Sequence, residues 1–193
     1  MAEVALPTTR RHRKVKALLA FSRLVDRLNE HLGTIANWLV LLSCLVSAGN
    51  AMLRYSFSLS SNAWLEIQWY MFGAMVMLGA SYTLQKNEHV RVDVLYGSIS
   101  TRAQLWIDIL GGILFLLPAT LIIGWMSWPM FVGSYQIGEM SGNAGGLLRW
   151  PIKIFLPLGF FLLSLQGLSE IIKRIGALTG DCPPPLHYEK PLQ

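Results

Sequence analysis

Apolar residues fall into four blocks without charge: positions 33–53, 67–85, 109–138 and 154–169 carry no Asp, Glu, Lys or Arg. A membrane-crossing helix takes about 20 residues, so the first three blocks suffice or nearly so. The fourth extends at both ends, because Lys153 can snorkel to one interface while Glu170, Lys173 and Arg174 sit near the other. The pattern predicts an all-α integral membrane chain with four transmembrane helices, at about 33–56, 63–86, 102–128 and 151–174. Local signals mark the boundaries. Asn62 suits an N-cap before Ala63 and Trp64, Thr101 with Gln104 reads as a capping box, and Pro151 suits a first helical turn. Pro118 and Pro157 each remove a backbone bond and predict local kinks in the third and fourth spans.

Ahead of the first block, Leu18, Phe21, Val25, Leu28 and Leu32 recur at spacings of three and four, with Lys16, Arg23, Asp26, Arg27 and Glu30 on the other faces. Preceded by the basic run Arg10, Arg11, Arg13, Lys14 and Lys16, this reads as an N-terminal amphipathic helix lying at the membrane interface. A basic tail that continues upward into the first span is the alternative. The chain then divides into a cytoplasmic tail and helix at 1–32, a transmembrane domain at 33–175 and a cytoplasmic tail at 176–193.

Composition sharpens this. Of 193 residues, 53% are hydrophobic and only 14% charged, against about 25% in soluble domains; a soluble globular chain and a disordered one are both excluded. The net charge of +5 comes from basic residues flanking the apolar blocks, which are topology signals rather than a nucleic-acid footprint. Thirteen Lys and Arg fall in the N-terminal segment, the connection between the second and third spans, and the tail; only Arg54, Arg149 and Lys153 fall on the other side. The positive-inside rule therefore places both termini in the cytoplasm.

The charges avoid the midplane, where a carrier needs groups to coordinate what crosses. Arg54, Glu66, Asp108, Lys153 and Glu170 all lie within about two turns of a span end. His12, His31, His89 and His187 lie outside the spans, so none supplies a haem ligand, and the sequence predicts no metal, no cofactor and no enzyme activity.

What remains is packing chemistry. Ser43, Ser47, Asn50 and Arg54 share one small, polar face of the first span, while Glu66, Tyr70, Gly73, Met77, Ala80 and Leu84 form a seam on the second. Such stripes can join these helices to one another or to those of a partner. Between the second and third spans, His89, Arg91 and Asp93 alternate with Val90, Val92 and Val94, so an extended segment would have one charged and one apolar edge. An ordinary short loop is the other reading.

The segment ASYTLQKNEHVRVDV at 80–94 and the outer connection EMSGNAGGLLRWPIK at 139–153, set in this order of spans, resemble the small membrane subunit (DctQ-like) of tripartite ATP-independent periplasmic (TRAP) transporters. The likeness extends over roughly residues 20–178. It implies a large multi-span permease subunit that carries sodium and substrate by an elevator movement, and a soluble periplasmic solute-binding protein that delivers an organic acid or related solute. The small subunit would scaffold the large one in the bacterial inner membrane. Under this reading Ser43, Ser47, Asn50, Arg54, Glu66, Gly73, Met77 and Ala80 are candidates for gripping the large subunit. Glu139, Ser141, Arg149 and Trp150 are candidates for docking the binding protein, on a Gly-rich loop free to adapt. The runner-up is a four-helix membrane anchor for a peripheral enzyme or redox complex.

Overall fold

The structure, a computed structural model, describes residues 8–59, 61–88 and 99–183, with side chains from Val15 onward. The His89, Arg91 and Asp93 segment lies outside the described residues. Among the described residues six α-helices follow one another: α1 (Thr8–Phe57), α2 (Asn62–Lys86), α3 (Thr101–Gly111), α4 (Leu117–Gln136), α5 (Trp150–Lys153) and α6 (Phe155–Thr179). A π-helical segment, Gly112–Leu116, joins α3 to α4 in one run, so the described residues are almost wholly helical. Among the described residues three stretches are long and apolar enough to cross a membrane: Val15–Phe57, Thr101–Gln136 and Trp150–Thr179. The 25-residue α2 has the length, but Gln68, Tyr70, Ser81, Tyr82 and Thr83 dilute its apolarity.

The helices begin and break for local reasons. Ser61 and Ser100, each one residue before the caps read from sequence, accept from the backbone N–H groups of Ala63 and Ala103. Asn62 is thereby freed for a long-range contact. Both prolines lie beside irregular backbone, Pro118 without ending its helical run. Pro157 cannot donate to Lys153, and the helix is interrupted at Ile154 between α5 and α6. Pro118 follows the π segment, where the Leu117 N–H reaches back five residues to the Gly112 carbonyl.

Within the described residues, 8–32 and the first span form one helix rather than an interfacial helix and a separate transmembrane one. From Thr8, α1 runs unbroken for 50 residues, about 75 Å at the usual rise and far longer than the hydrocarbon core of about 30 Å. Gly33, at the predicted boundary, is a point of close approach: a Cβ there would stand 2.6 Å from the Tyr82 ring. The face that α1 buries shares only Val25 with the apolar stripe among its fully buried members. Leu18 and Leu28 are exposed, and the inward row is Ser22, Val25, Asn29, Gly33 and Ala36.

Ser22 and Asn29 of that row meet α6 and Gly33 and Ala36 meet α2; α6 is the hub of the fold, touching α1, α2, α3 and α4. Gly159 of α6 lets α2 come close, since a Cβ there would meet Met77 at 2.8 Å. Further along, α6 turns polar side chains to α1, α3 and α4. Ser164 donates to Thr120 of α4 at 2.8 Å, and Ser169 is hydrogen-bonded to Ser22 of α1. Gln166 accepts from Asn29 at 2.6 Å and donates to Asp26 at 3.0 Å, while Ser81 of α2 donates to Asn29 at 2.9 Å. Lys173 pairs with Asp26 at 3.1 Å; Arg174 pairs with Glu170 and, at 2.7 Å, with Asp108 of α3. Ser22, Asn29, Ser81, Gln166 and Ser169 are fully enclosed. In a medium without water such groups must find partners in protein, and these contacts join five helices.

Arg174→Met removes the cation that joins Asp108 to α6 and leaves Glu170 with Lys173 alone, and should lower stability in detergent by about 3 kcal/mol. Combining it with Asp108→Asn and Glu170→Gln should recover part of the loss, a pattern that thermal unfolding of the purified variants checks.

Candidate interaction site: the outer loop clamped on α2

At the opposite end, the connection from α4 to α5 folds back on itself. Met140 and Leu148 form an isolated antiparallel bridge, Ser141 N donates to Leu147 O at 2.9 Å, and Arg149 N donates to Glu139 O at 2.8 Å. Gly138 and Gly145 supply the positive φ values of 58° and 70° that the turns need.

Three α2 side chains, one turn apart on one face, hold this loop. Asn62 donates to the Ala144 carbonyl and Tyr70 to the Leu148 carbonyl, both at 2.9 Å. Between them the buried Glu66 carboxylate accepts from the Ser141 hydroxyl, from the Asn143 amide at 2.8 Å and from the Leu147 backbone N–H at 2.7 Å. Gly146 is required by proximity, because a Cβ there would stand 2.4 Å from that of Ser141 and 2.9 Å from Glu66 Oε1. The Gly-rich loop is thus tied at five points rather than free to adapt.

A second clasp closes its ends: Lys153 pairs with Glu139. Lys153, hydrogen-bonded to it, holds the Glu139 carboxyl below the usual carboxylate range, and the Arg149 charge adds to the effect. Trp150 stands edge-on to Tyr135, ring centroids 5.4 Å apart.

The structure therefore sorts the candidate residues. Glu66 and Ser141 meet each other, and Glu139 meets Lys153. The α2 seam turns inward: Gly73 faces Ile152 and Met77 faces Gly159, both within this chain, while Ala80 borders a groove between α2 and α3. On α1, Asn50 is buried, Ser43 half-buried, and Ser47 and Arg54 exposed. Arg149 is exposed on the loop. The sequence reading missed Asn143 and the inner network of Ser22, Asn29, Gln166 and Ser169. A signal was present: Ser22, Asp26 and Asn29 recur every three or four residues, as do Gln166, Ser169 or Glu170, and Lys173, the spacing of two helices meeting along a polar seam. Among the described residues no group of three His, Cys, Asp or Glu is placed to hold a metal. The arrangement offers a fixed surface, suited to contact.

Glu66→Gln puts an amide donor where Leu147 N–H or Asn143 needs an acceptor. Hydrogen exchange of the loop amides should rise about tenfold to a hundredfold, with the α6 amides unchanged. The Glu139 clasp has its own pH signature. Because its carboxyl is more acidic when folded, its contribution is complete above the ordinary carboxylate pKa and is lost as pH falls through the lowered folded value. Loop protection, corrected for intrinsic exchange, should be flat from neutral pH through the ordinary carboxylate range and decline only in stronger acid; Lys153→Met should move that decline to higher pH.

The loop and its clamp lie inside a region shared with known proteins. A family model described as "Tripartite ATP-independent periplasmic transporters, DctQ component" matches residues 43–177, more than half of the chain. No curated protein and no solved structure matches it. This family is a transporter component rather than an enzyme family, and its members are multi-pass proteins of the inner membrane, as the apolar helices here require. The chain belongs to the DctQ family and is the small permease subunit of a TRAP transporter.

Proposed function

We propose that this subunit crosses the inner membrane four times with both termini in the cytoplasm, and braces a large sodium-coupled elevator subunit during uptake of an organic acid or related solute. A periplasmic binding protein delivers that solute to the complex. The family match carries this reading. The geometry supports it in two ways. The buried charges of α3 and α6 are engaged in joining helices, with Arg174 set between Asp108 and Glu170, which suits a support better than a solute path. The N-terminal half of α1 and the end of α6 lie together, through Ser22 and Ser169, at the end of the bundle opposite the 139–149 loop. With thirteen of the sixteen Lys and Arg on the termini side, that end is cytoplasmic and the clamped loop periplasmic.

In this orientation α2 is a fourth span, and the exposed Ser47 and Arg54 of α1 are left for the large subunit. Glu66, Gly73 and Met77 contribute indirectly, by keeping the subunit in shape. Around the loop, Ser141 and Glu139 fix the backbone, Trp150 anchors its base on Tyr135, and Arg149 faces outward toward the binding protein.

A tagged form of the chain, extracted from native membranes in mild detergent, should bring down one large membrane protein; recovery as a lone monomer contradicts the reading. Arg149→Glu should raise the binding-protein concentration giving half-maximal uptake by about tenfold, with the maximal rate little changed, because a rim charge acts mainly on encounter. An unchanged half-saturation value removes Arg149 from docking.

A further inference from the structure

The outward face of α1 carries charge that nothing among the described residues neutralises. At the end of the bundle where α1 meets the last turns of α6, Lys173 and Arg174 pair with Asp26, Glu170 and Asp108, and Lys86 pairs with Glu30. Arg23 and Arg27 behave otherwise. Both are exposed, one turn apart on α1, and neither makes an ion pair or a hydrogen bond among the described residues. Lys16, two turns before Arg23 on the same side of the helix, continues the row. The two acids of this stretch do not answer them, since Asp26 is held by Lys173 of α6 and Glu30 by Lys86 of α2.

Beside this basic row runs an apolar one. Leu24 is 67% exposed and Leu28 44%, and the same outward side continues through the exposed Ile35 and Trp38 into the charge-free stretch 33–53. At the usual rise that stretch measures about 30 Å, the thickness of a hydrocarbon core. The turns of α1 just before it therefore pass through the headgroup layer, with Arg27 and Arg23 at its outer edge, within about one screening length of the phosphates. Lipid is what lies against an outward helix face at that depth. A zwitterionic headgroup brings its own cation to the phosphate, whereas an acidic one leaves a net negative charge for two unpaired guanidiniums. Leucines flanked by cations at the membrane boundary suit acidic lipid for the same reason.

We propose that the face of α1 around Arg23 and Arg27 binds the headgroups of acidic phospholipids, with Leu24 and Leu28 against the glycerol end of the acyl chains. The site goes beyond the bracing role and rests only on the chain's crossing a membrane. Helix α1 does not lie flat in the interface; it passes through, and its two arginines select the lipids around the point of passage.

The test uses the purified full chain in a Cys44→Ser, Cys182→Ser background, with an environment-sensitive dye on Ala20→Cys, exposed on the same face. Titrated in neutral detergent, phosphatidylglycerol should reach half its effect at a mole fraction about tenfold lower than phosphatidylcholine, as two cations at an acidic surface require. Arg23→Gln with Arg27→Gln should remove this preference without lowering the melting temperature in phosphatidylcholine, and Arg23→Lys with Arg27→Lys should keep most of it. An equal response to the two lipids, or a preference that outlasts the glutamine pair, overturns the proposal. In native membranes a benzophenone on Leu24→Cys, in the same cysteine-free background, should form adducts with phospholipid; adducts mainly with a protein overturn the lipid assignment. The titration is made without the large subunit, so recovery or loss of that partner, which decides the bracing role, leaves its result unaffected.

Discussion

The polar side chains along α6, from Ser164 to Arg174, set where nearly every other helix can lie. Each is enclosed or half-enclosed by protein, and where water is scarce an unmet hydroxyl, amide or charge is costly. The neighbours therefore supply partners at fixed positions: Thr120 from α4, Ser22, Asp26 and Asn29 from α1, and Asp108 from α3. Helix α2 is held at one remove, through Ser81 on Asn29. Apolar surfaces can slide along one another at little cost, whereas this set of donors and acceptors is satisfied in one alignment only.

The other end solves a similar problem by different means. A single carboxylate, Glu66, collects a hydroxyl, an amide and a backbone N–H and so holds an irregular connection against α2. One fastening joins helix to helix and the other joins loop to helix, and the bundle between them is largely apolar. A membrane protein fastened at both ends behaves as a solid body. Under the function proposed above, that property suits a subunit that braces a moving partner.

Much of this was legible in the chain. The apolar blocks marked the helices, Pro118 and Pro157 marked the irregular turns, and the motifs at 80–94 and 139–153 marked the family. What was not legible depends on contacts between distant residues. Gly33 resembled a boundary, yet its reason is the Tyr82 ring pressed against it from α2. The apolar stripe of α1 suggested a helix lying on the membrane, but Asn29 and Ser22 turn inward because Gln166 and Ser169 await them 137 and 147 residues later. The glycines of the outer loop looked permissive, while Glu66, at sequence separations of 75 to 81, removes that freedom. Ser61 and Ser100 took the caps one position early, a local competition between adjacent polar residues that propensity ranks almost equally.

The π segment Gly112–Leu116 acts as a vernier on the third span. A helix advances by about 100° per residue, and the wide turn accommodates one residue more than an α-helical path would. Everything before it, including Asp108, is rotated accordingly relative to α4. Without that extra residue, the carboxylate that meets Arg174 would point more than a quarter-turn away while Thr120 kept its place on Ser164. One inserted residue thus phases two contacts of the same helix run that no uniform α-helix through these positions would align together.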